Sequence, residues 1–473
     1  MRTIYERAES VLVWLGPSIE RADLAFALFE ELYQHRNSKK DIDKILRDEY
    51  KVNGLKAMRD LLERGYWERL WIVQEINSAR NITILCGRYK IDWLKVVAVQ
   101  NTLLSDHESL MAQQSSTGSM LVQLDNRVIF WGPKSLELPR CDHCSSLPLL
   151  YSLLAKFWSL QTSDPRDKIY ALVGLSSARD DPGFVIDYSA SIHHVYIDVT
   201  KYILLSSRKL NIVCSTQRSE TEINLPSWVP NWVLDRRRHG VNFLEMELLS
   251  EGRLYNAAGT STAEFELQHG DQILIPNGFL LSCIQSVGVK GHLKSRHDFY
   301  AGIHILLSWY KLCTAIKAPT LVQEDAFCRT ISFVCSSSPD DRLGRMERCA
   351  GAIAMQAAEI CPKELVDPEF MSLKEKYNIE KWRAERWLKE VYARIRRRRF
   401  FISDSNLIGM GPESAESGDI ICILLGCSVP VVLRPQNGHY IFLGEAYIYG
   451  YMYRKAMEEL AEGKFRLEPF EIH

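Results

Sequence analysis

Apolar side chains recur along "RADLAFALFEELYQ", residues 21–34, with Leu24, Leu28 and Leu32 joined by Ala25 and Phe29, a spacing that predicts an amphipathic helix. Ahead of it, "RTIYERAES" reads as the end of a helix and "VLVWLG" as a compact strand closed by Gly-Pro. An unbroken apolar strand of this kind wants neighbours on both sides. The polar "HRNSKKDIDK" reads as an exposed loop. A helix around 66–79 and strands in "NITILCG" and "YKIDWL" then continue an α/β alternation to about residue 95.

The stretch 105–145, with "MAQQSSTGSM", turns polar and predicts a linker or variable insertion. Helices follow in "LPLLYSLLAKFWSL" and "KIYALVGL". In "SIHHVYIDVTKYIL", Ile192, Val195, Tyr196, Val199, Tyr202 and Ile203 share one helical face. Residues 225–290 mix "LPSWVPNWV" with strand-like runs such as "QILIPNGFLLSCI", and 298–395 is mainly helical. Beyond residue 400, short strands are punctuated by turn residues, including the hairpin signal Asn437-Gly438. The fold class expected is an α/β N-terminal unit, a mainly helical middle region, and a small antiparallel β barrel or meander at the C-terminus. In domain terms these are 1–100, a linker or insertion at 101–145, a helical and mixed region at 146–395, and a β-rich module at 396–473.

Composition narrows the function classes. With 46% hydrophobic and 25% charged residues in 473, the chain has the make-up of a globular protein of two or three domains. A formal net charge of -1 supplies no overall field for nucleic acid or an acidic membrane. The twelve cysteines are sparse, and Cys86, Cys283, Cys422 and Cys427 sit in apolar runs, which points to a reducing compartment. The N-terminus has no signal-peptide core, and "IICILLGCSVPVVL" is too short, and too broken by Gly426 and Pro430, to span a bilayer.

The order "IYERAESVLVWLG", "RGYWERLWIVQEI…ITILCG", "TSDPRDKIYALVGL", "IDYSASIHHVYIDVTKYI", "LPSWVPNW" and "GMGPESAESGDIICILLGCSVPVVLRP…YIFLGEAYIYGYM" resembles the fungal heterokaryon incompatibility (HET) domain proteins nearly end to end. The resemblance implies a fungal cytoplasmic protein of non-self recognition and programmed cell death, whose first domain is a distant relative of the TIR fold. It also implies protein partners, either the product of an incompatible allele or a second copy of the chain, and no cofactor. Family members usually carry a "SYxWG"-like strand and a "DxxCINQ"-like segment before the position of Met1, so against the family the HET domain is expected to be cut short. Where they often read "GIMDGEA", this chain has "GYMYRKA" at 450–456.

TIR enzymes set their catalytic glutamate four residues after a tryptophan on a helix, and Trp71 and Glu75 have that spacing. The resemblance therefore makes Glu75 the candidate catalytic residue and Trp71 the candidate ligand-binding residue, with NAD as the substrate. A carboxylate near the ribose would stabilise the oxocarbenium-like state of nicotinamide–ribose cleavage. Against this stands a structural role, Glu75 pairing with Arg64, Arg69 or Arg80 to anchor its helix. "CDHC", Cys141 to Cys144, lacks a second ligand pair and reads as a surface loop, not a metal site. His193-His194 read as solvated or capping, and "RIRRRR", Arg394 to Arg399, as a solvated helix end more than a phosphate contact. "DPRDK", 164–168, reads as a cap and an ion pair. The function expected is incompatibility signalling by recognition, with a TIR-like NAD glycohydrolase or an inactive shortened paralogue as alternatives.

Overall fold

The strand "VLVW" shows how pairing decides burial. In the computed structural model, which describes residues 2–116, 126–138, 149–215, 225–233, 255–295, 297–316, 320–333, 342–360 and 381–473, it forms β1, Val11–Trp14. Val11 and Val13 are buried while Leu12 and Trp14 stand 62% and 52% exposed. The strand is half-buried, not buried on both faces, because among the described residues it pairs on one side only, parallel to β2, Ile82–Cys86. β2 in turn pairs antiparallel with β3, Tyr89–Asp92, giving a three-stranded sheet in the order β1-β2-β3.

The chain divides into two compact units, Met1–Ile186 and Asp187–His473. In the first, α1 (Arg2–Arg7) precedes β1, and α2 (Ala22–Gln34) turns Ala25, Phe26, Leu28, Phe29 and Leu32 inward. Leu24, expected on that face, is exposed at its edge. The expected loop "HRNSKKDIDK" is instead the start of α3, Lys39–Arg47: the Ser38 hydroxyl accepts the Asp41 N–H at 3.4 Å, and Ile42, Ile45 and Leu46 are buried. The apolar stripe that makes this helix begins only where the polar run ends, which is why the run reads as a loop. α4 (Val52–Leu62) and α6 (Trp93–Ser116) pack on α2. α6 carries helix well into the region expected to be a linker. The unit continues with α7 (Asn126–Phe130), α8 (Leu150–Phe157) and α9 (Asp167–Val173).

The second unit opens with α10, Ile192–Ser207, capped by the Ser191 hydroxyl on the His194 N–H. Val195, Tyr196, Val199 and Ile203 bury the expected face. The tryptophans of "LPSWVPNW" hold this helix to the sheet of the same unit. Trp232 packs edge-on against Tyr196 with centroids 4.9 Å apart, and Trp228 donates to the Gln272 carbonyl at 3.2 Å.

The sheet of this unit is organised by one long strand. β4 (Phe265–Gln268) pairs with β5, Ile273–Lys290, which runs eighteen residues where the sequence suggests a short strand. β5 lies between β8 (Ile420–Leu424) and β6 (Arg398–Ser403), both antiparallel to it. β7 (Ile408–Pro412), β9 (Val431–Gln436), β10 (His439–Glu445) and β11 (Tyr447–Ile448) complete the path β10-β9-β8-β5-β6-β7-β11. Asn437 and Gly438, at φ 51° and 87°, make the expected tight hairpin between β9 and β10.

The ladders form an open path: the C-terminal sheet, expected as an antiparallel barrel or meander, is antiparallel but not closed. The sheet nevertheless coils around one core, with Phe279, Phe401, Ile421, Val432, Leu443 and Ile448 buried together. The tail lies between β5 and β10: Leu274 and Ile472 exchange N–H···O bonds of 3.0 and 2.9 Å, and Tyr440 donates to the Glu471 carbonyl at 2.8 Å. The tail pairs with β5 in a short antiparallel ladder at Glu468–Pro469 and again through a single bridge at Ile472, whereas a single bridge at Ile472 joins it to β10.

Candidate functional site

α5, Trp71–Asn77, follows a 3-10 turn at Gly65–Glu68, and Ile72, Val73 and Ile76 anchor it in the core. Trp71 and Glu75, one turn apart, lie on its other, half-buried side. The Trp71 indole donates to Asp167 Oδ2 at 3.0 Å, which ties α5 to the first turn of α9. That contact gives Trp71 a partner within the fold.

Glu75 is engaged by two phenols. Tyr5, from α1, and Tyr66, from the 3-10 turn, both stand beside its carboxylate, whose charge acts on their hydroxyls. Burial is the main cause that pushes the Tyr66 hydroxyl well above its ordinary range, followed by the charge of Glu75. The same two causes, in the same order, raise Tyr5, and Arg69 opposes both shifts. Among the described residues Glu75 forms no ion pair with Arg64, Arg69 or Arg80, and phenols stand beside it where the sequence suggests a guanidinium. Arg64 instead donates to the Pro17 carbonyl at 3.1 Å.

Tyr66 stands within the "RGYWERLWIVQEI" segment itself, nine residues before Glu75, and escapes notice because the eye follows the tryptophans and the helix period. Tyr5 comes from a separate element, and no spacing in the sequence signals it.

The remaining candidates resolve into structure. Arg166 grips Asp164 through Nε at 3.0 Å and Nη2 at 2.7 Å, the expected ion pair. His194 Nδ1 lies 3.0 Å from the capping Ser191 hydroxyl. The arginine run is not a solvated helix end: its helix stops at Ile395, and Arg398 and Arg399 enter β6. Arg397 pairs with Glu413 at 2.9 Å, Arg398 with Glu445 at 2.5 Å, and Arg399 donates to the Gly288 and Ala415 carbonyls. These cations are used up inside the sheet and its borders, leaving them unavailable for phosphate. "CDHC" lies outside the described residues. An open hollow of about 680 Å³ runs along α3, lined by Lys39, Lys40, Asp43, Lys44, Arg47 and Asp48, and neither Trp71 nor Glu75 contributes to it. Among the described residues no helix is long and apolar enough to cross a membrane.

The family model for the heterokaryon incompatibility protein (HET) matches residues 1–75, ending at Glu75, and that for the Het-6 beta-barrel domain matches residues 367–467. Heterokaryon incompatibility protein 6, OR allele, of Neurospora crassa is 23% identical over 540 aligned positions, which span 96% of this chain and 77% of that protein. No solved structure matches significantly, so the TIR-like kinship rests on sequence resemblance alone. With both family models matched in order and one relative aligned along nearly the whole chain, the protein is similar to the fungal heterokaryon incompatibility (HET) domain proteins.

Proposed function

We propose that this chain acts in fungal non-self recognition and programmed cell death signalling, in the cytoplasm, by recognising a protein partner. The observation that carries the proposal is the end-to-end alignment with an incompatibility protein, which includes the N-terminal HET segment and the C-terminal sheet together. The partner is the product of an incompatible allele or a second copy of the chain. The test is regulated expression of the full chain in fungal strains that differ at incompatibility loci, scored by vital-dye uptake. Death confined to particular strain combinations supports the proposal. Equal viability in every combination, with the protein present at normal levels, contradicts it.

One observation favours a second reading, a TIR-like NAD glycohydrolase. Glu75 is half-buried and stands beside the hydroxyls of Tyr5 and Tyr66, a setting in which a carboxylate can stabilise a ribosyl cation. Release of nicotinamide from NAD by the purified protein, abolished in Glu75→Gln with thermal stability retained, would establish it. Absence of release, also after induced oligomerisation, would remove it.

A further inference from the structure

Cys214 and Cys427 are 213 residues apart in sequence, yet their sulfurs lie 3.7 Å apart and both side chains are buried. Neither contact is accidental to a mobile loop. Cys214 ends the 3-10 turn Asn211–Cys214 that follows α10, and Cys427 sits in the turn between β8 and β9. The two backbones are pinned to each other around the sulfurs. Leu210 N–H donates to the Gly426 carbonyl at 3.0 Å, and the Asn211 amide and Ser428 clasp reciprocally at 2.9 and 2.8 Å. A closing movement of the sulfurs of less than two ångströms, from van der Waals contact to a bond of about 2.05 Å, is all that a covalent link requires.

We propose that Cys214 and Cys427 form an oxidation site: a peroxide converts this buried dithiol into a disulfide that staples the segment after α10 to the β8–β9 turn. In the first step peroxide oxygen adds to one sulfur, its O–O bond breaks, and a sulfenic acid and water result. In the second the other thiol attacks that sulfur, the S–S bond forms, and the hydroxyl leaves as water with the attacking thiol's proton. Two thiols lose two electrons and two hydrogens, and the peroxide is reduced to two waters.

Access sets the rate. The hydrogen bond to Cys427 and the surrounding burial hold the Cys214 thiol protonated, so the native pair is slow toward oxidant. Cys283, on β5 and only partly buried, is the internal clock for exposed thiol chemistry. A second buried pair, Cys328 and Cys349, is also hydrogen-bonded and is the natural competitor.

The test uses the full chain treated with graded hydrogen peroxide, then unfolded, alkylated and mapped by mass spectrometry without reduction. The expected result is a linked peptide pair containing Cys214 and Cys427, two hydrogens lighter than the alkylation-free sum. It should appear after Cys283 oxidises and should raise the guanidinium midpoint, an increase that a dithiol reverses. Cys427→Ala should lose both the link and the increase. If that variant does not fold, the wild-type map still decides. Full alkylation of Cys214 and Cys427 after Cys283 is completely oxidised, or a link at Cys328–Cys349 in their place, would overturn the proposal.

Discussion

The charge of Glu75 acts on two phenols, Tyr5 and Tyr66. The arrangement has a consequence at high pH. Tyr66 is raised above the ordinary 10.0 of a phenol, chiefly by burial, so on unfolding its pKa falls back and the unfolded chain loses the proton first. Its contribution to stability is therefore complete below about pH 10 and is lost as pH climbs from there toward the folded value. Tyr66→Phe should change stability at neutral pH by no more than about 0.5–1.5 kcal/mol, the net worth of one hydroxyl's polar interaction. The same variant should lose less stability than the wild type above pH ~10, because the titrating group is gone. Urea midpoints at neutral and alkaline pH check both; parallel pH profiles for the two proteins would mean that Tyr66 is not the titrating group. The spacing of Trp71 and Glu75 was legible in the sequence because both lie on one helix. The phenols were not, since a contact between separate elements leaves no period behind.

Elements follow the same division. The Asn437-Gly438 hairpin was legible because the two positive φ angles demand those residue types, and α2 and α10 were legible from their apolar stripes. α3 was hidden because its stripe of Ile42, Ile45 and Leu46 starts inside a charged run. The full length of β5 was hidden because the apolar run "QILIPNGFLLSCI" ends at Ile284, whereas the strand continues through the more polar "QSVGVK" to Lys290 and passes a crowded point at Gly278. A Cβ on Gly278 would lie 2.5 Å from the Ile423 carbonyl oxygen of β8. Gly278→Ala must part β5 from β8, and overpacking of this kind costs about 1–3 kcal/mol. Thermal unfolding of this variant should show a clear loss; an unchanged midpoint would mean that the two strands do not approach so closely.

For the whole molecule, the two compact units each carry a core, and this predicts more than one unfolding transition in calorimetry. The Arg398–Glu445 pair, with both side chains at 0% exposure, belongs to the second unit and serves as its marker. Breaking a buried pair by removing one partner costs about 3–5 kcal/mol, so Arg398→Met should lower one transition and leave the other in place. A single transition displaced as a whole would contradict two separately stable units. No charge pattern foretold this pair, because a run of arginines looks the same whether it faces solvent or a buried glutamate.

The central claim is that the chain works by recognition within the incompatibility system, with Glu75 as a helix-fixing residue. The most direct test is to express the wild type and Glu75→Gln at equal levels in the fungal strain combination that responds to the wild type. Glutamine keeps an acceptor for the two phenols, so the fold is retained. The account predicts cell death with both proteins; death with the wild type alone, accompanied by loss of nicotinamide release in a folded Glu75→Gln, would contradict it.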